Sequence, residues 1–264
     1  MSDAVVFTLR APLEAQLDMS GVTPDRCADL STKDIAALPV WTGGAAASVG
    51  DLFDVRGERT PQIEIEGDLA KAIGVGARMA GGLLRVHGNV GDDAGQSMSG
   101  GVLRVDGHAG ARVGGGAAGA AKGMSGGEIV VFGSIGGSAG ALMRRGLVAV
   151  AGSVGDYAGH GMIAGTLLAL GPVGEWPGAG NKRGSIIAAG GVTVPASYRF
   201  ACSYEPPHLR VLLTSLQRRF GFPCDPGLLA GRFDRYCGDA GEPGKGEILV
   251  WTGYGEKGHE RTGV

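Results

Sequence analysis

The chain has 264 residues, a formal net charge of -2 and 52 glycines, and 44% of its residues are apolar. That apolar share excludes a disordered linker, and the glycines do not recur at every third position as a collagen strand requires. The near-neutral charge gives no electrostatic basis for binding nucleic acid or a membrane surface, and no run of 18 apolar residues is present to span a bilayer.

The opening "MSDAVVFTLRAPLEAQLDMS" has no basic region ahead of an apolar block, so no signal peptide is expected. Residues 1–61 read as a flanking segment with two strand-like runs, "VVFTL" (5–9) and "DLFDV" (51–55). Between them Ser31 is placed to cap a short helix through "STKDIAAL". Cys27, Cys202, Cys224 and Cys237 show no CxxC spacing. They read as free thiols of a cytoplasmic protein, and no metal site is expected from this chain alone.

Residues 62–200 are a repeat. Seven segments align: "QIEIEG" (62–67), "LLRVHG" (83–88), "VLRVDG" (102–107), "EIVVFG" (128–133), "LVAVAG" (147–152), "TLLALG" (166–171) and "SIIAAG" (185–190). Their closing glycines, Gly67, Gly88, Gly107, Gly133, Gly152, Gly171 and Gly190, are spaced by 21, 19, 26, 19, 19 and 19 residues. A second glycine column follows (Gly91, Gly110, Gly136, Gly155, Gly174), then a third (Gly95, Gly114, Gly140, Gly159, Gly178). A methionine column comes next, at Met79, Met98, Met124, Met143 and Met162, with Asn181 breaking the series. The long unit carries seven extra residues between Gly114 and Met124, which are expected to bulge outward.

Each unit opens with a strand pattern and then turns, and glycine suits corners that need positive φ or a close approach of backbone. A unit this short cannot bury its own apolar face, so units must stack, with equivalent side chains one above another. The expected fold is all-β: a right-handed parallel β-helix of about seven turns. Its methionines should form one internal file.

Alternation within the strands assigns the faces. Ile63/Ile65, Leu84/Val86, Leu103/Val105, Ile129/Val131, Val148/Val150, Leu167/Ala169 and Ile186/Ala188 point to the core. The outward positions are charged in the first three units, at Glu64/Glu66, Arg85/His87 and Arg104/Asp106. They then become apolar: Val130, Phe132, Ala149, Ala151, Leu168, Leu170, Ile187 and Ala189. An apolar patch of that extent needs a cover, supplied by the terminal segments or by a partner.

Residues 201–264 offer a cover. In "EPPHLRVLLTSLQRRFG", Leu209, Leu212, Leu213 and Leu216 mark one helical face, Pro207 suits the first turn and Gly221 the terminus. "GEILVWTG" reads as a strand able to pair with an exposed edge.

The sites weighed are few. "GGGAAG" (114–119) matches GxGxxG but lies in the bulge, without the strand before and helix after that a dinucleotide fingerprint needs. His87, His108, His160, His208 and His259 are scattered, none at metal-binding spacing. His160 beside Asp156 and Tyr157 reads as a solvent-facing turn residue before an acid–base group, and no Ser or Cys nucleophile sits with a base. No catalytic residue is assigned. Arg144, Arg145, Lys182 and Arg183 occupy equivalent positions two units apart. They form either a solvated rim or a contact for an acidic partner surface or a polyanionic cofactor tail.

The Gly-x-x-Gly-x-x-x-Gly units resemble the C-terminal β-helix domain of glutamate synthase. With "LPVWTGG" and "VGDLFDV" before them and "RFDRYCGDAGEPGKGEILVW" after them, the chain more closely resembles the C subunit of formylmethanofuran dehydrogenase and the third (gamma) subunit of the formyltransferase/hydrolase complex of methylotrophs. The resemblance implies a cytoplasmic multi-subunit enzyme of one-carbon metabolism. In the dehydrogenase, a tungsten or molybdenum B subunit makes formate from CO2, and an amidohydrolase-like subunit joins it to methanofuran. In the bacterial complex, a formyltransferase subunit moves the formyl group from tetrahydromethanopterin to a methanofuran-type cofactor, and the amidohydrolase-like zinc subunit releases formate. The C subunit has none of these centres, so no family catalytic residue maps here and no cofactor is expected on this chain alone. The Ala, Gly and Arg richness favours the bacterial complex. A detached glutamate-synthase-like domain and a hexapeptide acyltransferase remain as rivals; the latter needs about 18 residues per turn and a histidine base.

Overall fold

The computed structural model describes residues 4–253. The chain is mostly β, with one twelve-stranded mixed sheet and one of four short strands. Along the large sheet the strands run Arg199–Tyr204, Phe233–Gly238, Gly246–Trp251, Ser185–Ala188, Thr166–Ala169, Arg145–Val150, Ser125–Val131, Val102–Val105, Leu83–Val86, Gln62–Glu66, Val5–Leu9 and Phe53–Arg56. All neighbours from Val5–Leu9 to Gly246–Trp251 pair parallel, and the remaining strands pair antiparallel.

Repeat units pair in the register that the aligned glycines require. Ile63, Leu84, Leu103, Ile129, Val148, Leu167 and Ile186 stand in one row, and each is at most 1% exposed. Ile65, Val86, Val105, Val131, Val150, Ala169 and Ala188 form the row beside it. A second parallel ladder links Leu69, Val90, Ala109, Ile135, Val154, Val173 and Val192 by single bridges. Both ladders face one core, where burying each large aliphatic side chain contributes about 1.5–3 kcal/mol.

The methionines form a single file in that core. Met79, Met98, Met124, Met143 and Met162 are fully buried. The residue after each of the last four, and the residue after Asn181, donates its backbone N–H to the carbonyl of the methionine below: Ser99 to Met79, Ser125 to Met98, Arg144 to Met124, Ile163 to Met143 and Lys182 to Met162. Asn181 ends the file, fully buried. Its amide donates to the Gly184 carbonyl at 2.9 Å and accepts from the Gly184 N–H at 2.7 Å, so the polar side chain is satisfied within the core. Tyr198 closes the same end, donating to the Gly178 carbonyl at 2.9 Å, and burial pushes its hydroxyl up to about 12.

The seven extra residues enter inside one tight turn. In regular units the methionine N–H bonds the carbonyl three residues back, as Met98 does to Gly95 and Met143 to Gly140. In the long unit Met124 makes that bond to Gly114 at 3.0 Å, and the intervening residues loop out.

From Gly88 and Gly91 onward, two glycine columns serve close approach at ordinary φ. At Gly107 a Cβ would stand 2.7 Å from the carbonyl oxygen of Gly88 below it. The third column, including Gly95 at φ 63°, is left-handed. Left-handed backbone is not confined to glycine here: Asp93, Arg112, Ser138, Tyr157 and Trp176 adopt it at equivalent positions. The first four donate their N–H to the next unit at 2.7–2.9 Å, which offsets a cost of about 1–2 kcal/mol each.

The flanks extend this stack. Val5–Leu9 adds a parallel strand below Gln62–Glu66, and Gly246–Trp251 adds one above Ser185–Ala188, so "GEILVWTG" meets an exposed edge as expected. Ser31 caps the helix Thr32–Ala36 by accepting from the Asp34 N–H. The "DLFDV" run differs from a continuous strand. Asp51 accepts from both the N–H and the hydroxyl of Ser48, which holds Val49–Leu52 helical and leaves only Phe53–Arg56 extended.

Gly107→Ala should lower stability by about 1–3 kcal/mol, because the new methyl meets backbone that cannot withdraw. Gly81→Ala, where a Cβ meets nothing within 4 Å, should stay within about 0.5 kcal/mol of the parent. Urea midpoints of the three proteins check this.

Candidate interaction site

The outward face of the strands is built in two halves. In the early units charged side chains join across rungs of the sheet. Glu64 meets His87 at 2.9 Å, and Asp106 meets His87 at 3.3 Å, Arg85 at 2.8 Å and Arg104 at 2.6 Å. Burial raises the Asp106 pKa, but the two guanidinium groups outweigh it and hold the carboxyl below its usual range.

In the later units the outward face is apolar and the helix Pro207–Phe220 lies on it. Val130, Ala149, Leu168 and Ile187 are at most 1% exposed, and pack in one cluster with Leu209, Leu213 and Leu216 of the helix and with Phe222, Leu228, Phe233 and Leu249. Phe132, Ala151, Leu170 and Ala189 are partly buried against the same cluster, as is Leu212. The helix begins with Pro207 at its first position and ends at Gly221 in the left-handed conformation, at φ 68°. At the border Arg104 joins the halves: its guanidinium lies 4.5 Å from the Phe132 ring centroid and donates to the Phe220 carbonyl at 2.9 Å. Arg219 pairs with Glu128 at 2.7 Å and anchors the helix C-terminus.

The four basic candidates stand at one corner of the stack. Arg144, Arg145, Lys182 and Arg183 are all exposed, with Ile163 and Ala164 between the two pairs. Two strand spacings separate the pairs by about 10 Å. Lys182 lies 3.8 Å from Glu242; among the described residues the other three have no ion-pair partner. A groove of about 440 Å³ on the outer face of the long helix adds Arg210, Arg218 and Arg219 around Val211, Thr214 and Ser215.

The titratable groups weighed from sequence hold the stack together. Asp156 accepts from the Glu175 N–H at 2.8 Å, Asp92 from the Ala111 N–H at 2.8 Å, and His108 Nδ1 from the Ser134 N–H at 2.9 Å. Tyr157 and His160 meet edge to face, 6.3 Å between ring centroids, at an exposed corner. "GGGAAG" lies in the looped-out insertion, with no helix after it. Among the described residues no three His, Cys, Asp or Glu side chains cluster as metal ligands would. His259 lies outside the described residues. A second cleft, about 510 Å³, sits at the opposite end between residues 9–13 and 67–71, where Lys71 donates to the Glu14 carbonyl.

Comparison with known proteins places this architecture. No protein-family model matches the chain. The C subunit of the formyltransferase/hydrolase complex Fhc of Methylorubrum extorquens is 33% identical over 83 residues, a match spanning 31% of this chain and 31% of that relative. A chain in the X-ray structure of the formyltransferase/hydrolase complex (FhcABCD) from the same organism, in complex with methylofuran, superposes with a TM-score of 0.76 at 31% identity, covering 93% of this chain and 98% of that one.

Leu213→Ala should cost about 2–5 kcal/mol by leaving a cavity under the helix, whereas Val211→Ala, at a position 71% exposed, should change stability by no more than about 0.5 kcal/mol. Thermal unfolding followed by circular dichroism distinguishes the two. Asp106→Asn should destabilise at pH 7. A depressed carboxyl stabilises the fold above its unfolded pKa and loses that contribution as pH falls through its folded pKa. The gap between variant and parent in urea midpoints should therefore narrow from about pH 5 towards about pH 3.

Proposed function

Because this chain belongs to the C-subunit family of formyltransferase/hydrolase complexes, we propose that it is a non-catalytic scaffold subunit of such a complex. The proposed assembly is cytoplasmic. It transfers a formyl group from tetrahydromethanopterin to a methanofuran-type cofactor and releases formate at a zinc site on another subunit. Its partners are a formyltransferase subunit, an amidohydrolase-like subunit and a dehydrogenase-like B subunit. The observation that carries this reading is the overlap of nearly the whole chain with one chain of the FhcABCD structure.

The physical arrangement supports a scaffold. Residues 62–200 are read as a right-handed parallel β-helix of about seven turns, flanked by segments 1–61 and 201–264. Two parallel ladders, a methionine file and backbone contact at the glycine columns favour that reading. Stacking of this kind is stiff, because every unit is held by its neighbours. Carboxylates and imidazoles along it are engaged in bonds between units, which suits rigidity over chemistry.

Since the chain's own helix lies on the apolar face, partner contact is assigned to the basic corner. Arg144, Arg145, Lys182 and Arg183 offer several uncompensated charges on a fixed spacing, suited to an acidic partner surface or a polyanionic cofactor tail.

Affinity purification of the tagged chain from its source should recover formyltransferase and hydrolase subunits. Reversing all four basic residues to glutamate should cut that recovery at least about tenfold while leaving the thermal midpoint unchanged. Recovery of the chain as a stable monomer without those subunits would overturn the scaffold reading.

A further inference from the structure

Each repeat unit has a third side, which runs from its second ladder to the next strand. In the three late units this side comprises residues 138–145, 157–164 and 176–183. The stretches stack through the backbone. The Tyr157 N–H donates to the Glu175 carbonyl, the Leu142 N–H to the His160 carbonyl and the Gly161 N–H to the Ala179 carbonyl, each at 2.8 Å. Equivalent residues therefore stand about 4.8 Å apart.

One margin of this side is aromatic. Asp93, Arg112 and Ser138 hold its first position in earlier units, and Tyr157 and Trp176 hold it in the last two. Tyr157 is 47% exposed and Trp176 58%, and the exposed His160 packs edge to face on Tyr157. The other margin is the basic corner of Arg144, Arg145, Lys182 and Arg183. Between the margins the side chains are small, at Ala141, Gly161, Ala179 and Gly180, and Leu142 lies against Gly161, with its Cδ2 2.9 Å from where a Cβ would stand. Three residues of chain lead from His160 to Ile163, which lies between the basic pairs, a reach of at most about 11 Å. Rings and cations thus share one wall, within the about 800 Å² that each partner contributes to a standard interface. The three stretches hold four cations and no Asp or Glu. Asp156 and Glu175 precede the rings, on the margin away from the cations.

We propose that this side is the docking surface for an acidic segment of a partner subunit, with Tyr157 and Trp176 as its anchors. The proposal rests on the scaffold reading and names the surface that carries it out. Trp, Tyr and Arg supply most of the energy of protein interfaces once a partner shields them from water. Arg144, Arg145 and Arg183 have no ion-pair partner among the described residues, so they select carboxylates and repel basic surfaces. A polyanionic cofactor tail would engage the cations and leave both rings wet. The rings instead select a folded partner surface with apolar side chains to set against them. Glycine and alanine between the margins let that surface approach closely.

The test is quantitative mass spectrometry of the subunits recovered with the tagged full chain from its source. Tyr157→Ala and Trp176→Ala should each lower recovery of the formyltransferase and hydrolase subunits at least about tenfold. Trp41→Ala, at a tryptophan 55% exposed on the strand Pro39–Thr42, should recover them as the parent does. All three variants should keep the parent's thermal midpoint, because the rings are exposed. Carbodiimide, which condenses a carboxylate with an amine and takes up the water lost, should join Lys182 in the purified parent complex to an Asp or Glu of a partner subunit. The proposal is overturned by full recovery with Tyr157→Ala and Trp176→Ala, by a loss with Trp176→Ala no greater than with Trp41→Ala, or by Lys182 linked only to Glu242 or to a small polyanion. Full recovery with every variant leaves the scaffold reading standing, whereas a parent that recovers neither subunit overturns that reading and this surface with it.

Discussion

The structure depends on how closely one unit's backbone can lie on the next. At the columns headed by Gly88 and Gly91 the approach leaves no room for a methyl group, and the obstacle is carbonyl and amide atoms of the unit below. Only glycine permits that distance, and the distance in turn sets everything stacked above it. With the units that close, strand hydrogen bonds form in register, the aliphatic rows align, and the methionine methyl fills the space beside the glycine ahead of the next strand, as Met143 does at Gly165.

A stack of this kind has two ends and an outer wall, and each is finished by sequence outside the repeat. Val5–Leu9 continues the lower end, and Gly246–Trp251 the upper. Asn181 and Tyr198 replace the next methionine with bonded polar groups where the file stops. The outer wall is charged and cross-linked where it meets water, and apolar where the helix Pro207–Phe220 covers it. Arg104 joins the two regimes by serving a carboxylate, an aromatic ring and a helix-end carbonyl together.

Much of this can be read from the residues because two periods coincide in the repeat. Alternation separates core from outer positions, and the 19-residue spacing says which residues stack. The helix is legible from Leu209, Leu213 and Leu216 with Gly221 behind them. The strands Arg199–Tyr204 and Phe233–Gly238 are not: one is exposed on both faces, so alternation has nothing to report, and the two meet only across some thirty intervening residues. Asn181 looks like a defect in its column until Tyr198 and Gly184 are seen around it. The left-handed column at Asp93, Arg112, Ser138, Tyr157 and Trp176 also leaves no mark, since its residues share no chemistry and the first four are held by bonds to the next unit. The basic corner is legible as a column, but only the fold reveals that three of its four cations lack a partner within the described chain.

The central physical claim is that the apolar outer wall is closed by the chain's own helix before any partner arrives. Amide hydrogen exchange on the isolated chain tests it most directly. The account predicts that amides of Leu213 and Leu216 are protected to a degree comparable with those of Val148 and Leu167 in the strands beneath. If the strand amides are protected while those of the helix exchange as fast as in an unstructured peptide, the helix does not lie on that wall and the claim is wrong.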